Sequence, residues 1–118
     1  FESDRKVQDL VSKANFITYS IAICVANEDV TYTKEELAKV ADYLLRFKAD
    51  AAFAAGFIDE DLISISARSK GKVDVSKVMN IMNGGGNIYS AATKINSKEL
   101  NEEGKKLELL TKPNFYVG

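Results

Sequence analysis

The chain has 118 residues, the size of one domain, and 46% of them are apolar, enough to build a core. Its 16 basic and 17 acidic side chains are interspersed and leave a net charge of −1, which argues against the broad basic footprint that duplex DNA requires. There is no histidine, so the commonest general base and the commonest metal ligand are both missing.

The single cysteine, Cys24, excludes an internal disulfide and fits a reducing, cytosolic setting. No apolar run nears the ~20 residues of a membrane span. The longest, "FITYSIAICVA" at 16–26, is too short. The chain opens on Phe1 instead of methionine and shows no signal-peptide pattern. It reads as cut from something longer, whose upstream part is free to carry a membrane anchor.

Residues 3–15 carry Val7, Leu10, Val11 and Ala14 at helical spacing, with Ser3 as the expected cap. "FITYSIAICVA" follows, rich in β-branched and aromatic residues. Ile17, Tyr19, Ile21, Ile23 and Val25 point one way; Thr18, Ser20, Ala22 and Cys24 point the other. The second set is small and uncharged, which predicts one inner strand covered on both faces. Thr33 and Glu36 form a capping box ahead of "ELAKVADYLLRF", whose stripe is Leu37, Val40, Ala41, Leu44 and Leu45.

"AAFAAGFI" and "LISISA" predict a hairpin turning at Asp59, Glu60 and Asp61. Phe53, Ala55 and Phe57 alternate with small residues that leave room for a helix. "RSKGK" breaks the pattern. A short helix is expected over 75–82 with Asp74 as cap, then a glycine loop, then a strand in "SAATKI". Ser97 is placed to cap a last helix running to about residue 112, where Pro113 ends it. The reading is one mixed α/β (α+β-like) domain over 1–118, a small mixed central sheet flanked by helices.

Two motifs carry candidate chemistry. "GGGN" at 84–87 joins Gly84, Gly85 and Gly86 to Asn87. Glycines let backbone N–H groups approach an anion, and a helical turn starting at Asn87 would add positive partial charge. A turn requiring positive φ angles is the plainer reading, and both stand on spacing alone. The second motif, "SISARSKGK", places Ser66, Arg68 and Ser69 just past the end of an apolar strand. Arginine presents a planar fork suited to phosphate, and serines add neutral hydrogen bonds. A solvated arginine after a strand is the alternative. The two motifs gain weight together, because both follow elements that reach the same edge of the domain. Asp59, Glu60 and Asp61 read as a turn and not a metal site. Cys24 reads as a buried small hydrophobe. No catalytic residue and no metal ligand is assigned.

The stretch "ISARSKGKVDVSKVMNIMNGGGNIYSAATKI" at 65–95 resembles the DHH-associated C-terminal domain of DHH phosphoesterases, nearest to bacterial cyclic-di-AMP phosphodiesterases. That family carries S-x-R-S, a spacer, a short helix, then G-G-G-H and an alanine pair. Here "SARS", "VDV", "GGG" and "AA" match, and the resemblance runs over about residues 17–95.

It implies a division of labour. An N-terminal DHH domain of the same protein holds manganese and hydrolyses the ligand. The C-terminal domain binds the phosphate of a nucleotide or cyclic dinucleotide. A chain without histidine cannot contain the Asp-His-His signature, so the resemblance implies the substrate-binding half, cytoplasmic, without catalysis or cofactor of its own. On it, Arg68 grips a phosphate, Ser66 and Ser69 support it, and Gly84, Gly85 and Gly86 offer amides.

Two positions depart from the family pattern: Asn83 replaces a first glycine and Asn87 the terminal histidine. Trading a charge-assisted hydrogen bond for a neutral one costs about 1 kcal/mol, near tenfold in affinity. Asn87 therefore keeps open a module that senses a nucleotide without turning it over. The apolar hairpin keeps open a structural domain that pairs with a second copy of itself.

Overall fold

The structure, a computed structural model, describes residues 2–47 and 49–99. Within them lie three α-helices: α1 (Glu2–Ser12), α2 (Lys34–Phe47) and α3 (Val75–Ile81). Six strands, β1 (Asn15–Ile17), β2 (Ile21–Val25), β3 (Ala51–Phe57), β4 (Leu62–Ser69), β5 (Gly85–Gly86) and β6 (Ser90–Asn96), form one sheet ordered β1-β2-β3-β4-β6-β5. Only β2 and β3 run parallel, with α2 in the connection between them. The other pairings are antiparallel. No described helix is long and apolar enough to cross a membrane.

The two faces of the sheet differ in side-chain size. Ala22, Cys24, Ala52 and Ala54 pack against Leu10 of α1 and Leu37, Val40, Ala41 and Leu44 of α2. Small strand residues let these helices sit close, and the leucines supply the bulk. On the opposite face Ile21, Phe53, Ile65 and Ile95 pack against Val75, Val78 and Met79 of α3. Each fully buried large side chain contributes about 1.5–3 kcal/mol of transfer free energy.

The alternation read from the sequence holds for β2, β3 and β4, as do the hairpin at 59–61 and the helix capped by Asp74. The Asp74 carboxylate accepts from the Ser76 and Lys77 N–H groups. Three local expectations are corrected. The run 16–26 is not one strand: a 3-10 turn at Thr18–Ser20 splits it, and Ser20 adopts φ 73°. The chain doubles back there, so β1 pairs antiparallel with β2 and becomes the sheet edge. No glycine, asparagine or proline announces that reversal. Second, Ser3 lies inside α1 and does not cap it. Third, β4 continues through Ser69, because 67–69 pair with Ala51, Ala52 and Phe53 of β3. After β6, Ser97–Glu99 form a 3-10 turn. The rest of the expected last helix, and the side chain of Tyr19, lie outside the described residues.

One polar knot ties α1 to α2. The capping box forms as expected: Glu36 N–H donates to Thr33 Oγ1 at 3.0 Å, and Thr33 N–H to Glu36 Oε1 at 2.9 Å. Ser3 Oγ donates to Glu36 Oε2 at 2.6 Å, and Lys6 Nζ reaches Oε1 at 3.0 Å. Burial pushes the Glu36 carboxyl upward, but the bonds from Ser3, Thr33 and Lys6, together with the Lys6 charge, outweigh it and hold its pKa below the usual glutamate value.

A depressed carboxylate stabilises the fold above its unfolded pKa, and that contribution is lost as pH falls through the folded value. Thermal melts from neutral pH downward should show stability falling below about pH 4. Glu36→Gln should flatten that fall and cost about 1–2 kcal/mol at pH 7.

Candidate anion-binding site

Helix α2 packs over β3 and the near side of β4, and the sheet continues past it through β6 and β5. Strand alternation puts Ser64, Ser66 and Arg68 on the α2 face, opposite Gly56, Ala54 and Ala52 of β3. Between the start of α2 and the far strands runs a trough with two hollows. One, of about 460 Å³, is lined by Lys34, Glu35, Ser66, Arg68, Gly85 and Gly86 among others. The other, of about 320 Å³, is lined by Lys34, Ser64, Ser66, Asn83 and Lys94 among others. They share Lys34, Ser66 and Ala92, so they adjoin.

Arg68 is held from two sides. Its Nε meets Asp42 Oδ1 of α2 at 3.1 Å, and one terminal nitrogen donates to the Ala67 carbonyl at 2.9 Å. These contacts fix the plane of the guanidinium and leave its remaining N–H groups for a ligand. Ser66 is only 4% exposed and Ser64 only 2%. Neither hydroxyl bonds to any group among the described residues, although both line the trough. A buried hydroxyl without a partner costs about 1–3 kcal/mol, which a ligand oxygen would recover. Ser69 is placed differently. It is one residue beyond Arg68, hence on the opposite face, and its Oγ accepts the Gly71 N–H at 2.9 Å. Ser66 and Arg68 thus come together with Gly85 and Gly86, while the Ser69 hydroxyl closes a turn.

The glycine loop divides the same way. A β-carbon on Gly84 would lie 2.3 Å from the Ala92 carbonyl oxygen and 2.4 Å from Thr93 Cβ. On Gly86, at φ +143°, it would lie 2.3 Å from the Ser90 oxygen. Two of the three glycines are therefore required by the close approach of β5 to β6. Gly85 is not, since its nearest neighbour would be Asn80 Oδ1 at 3.9 Å. No helix begins at Asn87. Its Oδ1 accepts from the Tyr89 and Ser90 N–H groups at 2.9 and 3.0 Å, and its own N–H donates to the Ser90 carbonyl at 2.8 Å. Asn87 closes a hairpin loop, and its amide NH2 is what it retains for a ligand.

Asn83 has a structural reason as well. It follows α3 at φ 62°, with its N–H on the Asn80 carbonyl at 3.1 Å and the Gly84 N–H on the Met79 carbonyl at 2.8 Å. This is a Schellman cap, whose left-handed position accepts asparagine next after glycine.

The sequence did not single out Lys34, Glu35, Ser64 and Lys94 of the trough, nor Asp42, which tethers Arg68 from α2. The period-two spacing of Ser64, Ser66 and Arg68 is a signal that would have found Ser64. Lys34 and Asp42 arrive on α2 and carry no local signal. Lys34 and Lys94 line the same hollow, and the side-chain contact with Lys34, followed by its like charge, lowers the Lys94 pKa. Elsewhere, burial pushes the Cys24 thiol up to about 11, so it stays protonated and unreactive at neutral pH. Among the described residues, no three His, Cys, Asp or Glu side chains group to hold a metal ion. Asp59 Oδ1 instead accepts from the Asp61 and Leu62 N–H groups and shapes its turn.

The glycines can be separated by substitution. Gly84→Ala and Gly86→Ala should each destabilise the fold by about 2 kcal/mol or more. Gly85→Ala should stay within about 1 kcal/mol of the parent in urea unfolding.

Comparison with known proteins identifies the family and the fold. The DHHA1 domain family matches residues 13–111. The cyclic-di-AMP phosphodiesterase GdpP of Bacillus subtilis is 34% identical over 90 residues, covering 75% of this chain and 14% of that protein. The cyclic-di-AMP phosphodiesterase PdeA of Listeria monocytogenes is 31% identical over 99 residues, covering 83% of this chain and 15% of that protein. The chain thus spans about one seventh of the length of these relatives. Among solved structures, an exopolyphosphatase-related protein from Bacteroides fragilis shares the fold at a TM-score of 0.69 and 19% identity, over 90% of this chain and 34% of that one. With its mixed sheet, its S-A-R-S strand and its glycine hairpin, the chain belongs to the DHHA1 domain family.

Proposed function

We propose that this chain is the nucleotide-phosphate-binding domain of a DHH-family phosphodiesterase acting on a cyclic dinucleotide or short oligonucleotide, without catalysis of its own. The observation that carries the reading is the trough floor: a tethered arginine beside two buried hydroxyls that have no partner among the described residues. Arg68 supplies the charge and the planar donors. Ser66 supplies a hydrogen bond from below, and the Gly85–Gly86 backbone lines the far wall. Asp42 positions Arg68. Glu35, at the same trough, repels anions that Arg68 does not hold.

Hydrolysis belongs, on this reading, to a DHH domain elsewhere in the same full-length protein. Manganese would reside there too, as the family resemblance implies. The site would then be completed when that domain faces the trough, on the cytoplasmic side of any upstream anchor. Duplex DNA does not fit a chain of net charge −1.

A second reading has one specific observation behind it. Asn87 has its carbonyl oxygen committed to the hairpin loop and cannot carry a positive charge, which favours a module that senses a nucleotide without turning it over. Turnover by the full-length protein separates the two readings.

Amide NMR of the chain, titrated with cyclic di-AMP, should show shifts over 64–68 and 85–92. Arg68→Ala should weaken binding by at least about tenfold. Incubation with manganese and cyclic di-AMP should yield no product, and hydrolysis by this chain would refute the non-catalytic assignment.

A further inference from the structure

The trough is longer than one phosphate. Arg68 and Ser64 stand four residues apart on β4, about 13 Å along the strand. The Arg68 end is the site already described. At the other end Ser64 pairs in register with Lys94 of β6, and Lys34 of α2 lines the hollow with both. Two lysines from different elements thus converge over a serine that is 2% exposed and has no partner among the described residues. Among the described residues no acidic side chain lines this hollow; Glu35 and Asp42 sit toward Arg68.

We propose that Lys34, Lys94 and the Ser64 hydroxyl form a second phosphate subsite, which takes the second phosphate of a ligand whose first phosphate lies at Ser66 and Arg68. This rests on the phosphate-binding reading above and narrows it. The domain selects ligands with two separated phosphates, such as a dinucleotide, over mononucleotides. In the free chain the side-chain contact with Lys34, and after it the repulsion from its like charge, lower the Lys94 pKa. An anion between them turns that repulsion into two charge-assisted contacts. Lys34 also lines the Arg68 hollow, so it stands where a ligand passes from one phosphate place to the next.

The test follows the Lys94 side chain by NMR during pH titration of the 118-residue chain, free and with cyclic di-AMP, 5′-AMP or inorganic pyrophosphate. Lys34→Gln should raise the Lys94 pKa in the free chain. Cyclic di-AMP should raise it in the parent. Lys94→Gln should weaken cyclic di-AMP by about tenfold and 5′-AMP by less than about twofold. Equal weakening of both nucleotides, or cyclic di-AMP bound with Lys94 unmoved, would overturn the second subsite. The general reading fails separately. If neither nucleotide shifts the amides around Arg68 but pyrophosphate still raises the Lys94 pKa, the lysine subsite stands and the nucleotide assignment falls. If pyrophosphate also leaves Lys94 unmoved, both fall.

Discussion

The packing of the α2 leucine stripe on an alanine-rich sheet face governs where everything else can go. Leu37, Val40 and Leu44 need a surface without bulk, and Ala22, Cys24, Ala52 and Ala54 provide it on β2 and β3. Farther along, on the same face, the small residues give way to Ser64, Ser66 and Arg68 on β4. Helix α2 packs over β3 and the near side of β4. The part of the polar strip that it leaves uncovered becomes the floor of a trough with α2 as one wall, so its hydroxyls and guanidinium are not stranded in a dry interface.

The wall is active in the electrostatics. Asp42 reaches across to Arg68, and Lys34 comes from the first turn of the same helix to meet Lys94. The knot around Glu36 anchors that first turn through Ser3, Lys6 and Thr33, so α1, far from the trough in the sheet order, helps to fix where Lys34 stands. The far wall depends on a different constraint. β5 approaches β6 so closely that side chains at 84 and 86 have no room, and the exposed backbone of the glycine hairpin is a by-product of that approach.

This recasts the opposition between a glycine turn and a phosphate cradle. Gly84 and Gly86 are demanded by the fold, and Gly85 is demanded by nothing in it. Asn83 and Asn87 each have a backbone task, one as the left-handed cap of α3 and the other as the acceptor that closes a hairpin loop. The binding potential of the trough rests on Ser64 and Ser66 of β4, whose hydroxyls are buried and unpartnered among the described residues, more than on the glycines.

By itself the sequence determined the class of fold, the faces of β2, β3 and β4, the α2 capping box and the short helix capped by Asp74. All of these depend on local periodicity and on hydrogen bonds within a few residues. It also marked Ser66 and Arg68, because a serine–arginine strand end is a local pattern. The break at Thr18–Ser20 was invisible, since it is imposed by strand pairing and no turn residue signals it. Only the tertiary structure decided that Ser69 turns away while Ser64 joins the trough, that Asp42 tethers Arg68, and that Lys34 meets Lys94. Those relations link residues dozens of positions apart. They exist only once α2 has settled on the alanine face and β6 has come to lie beside β4.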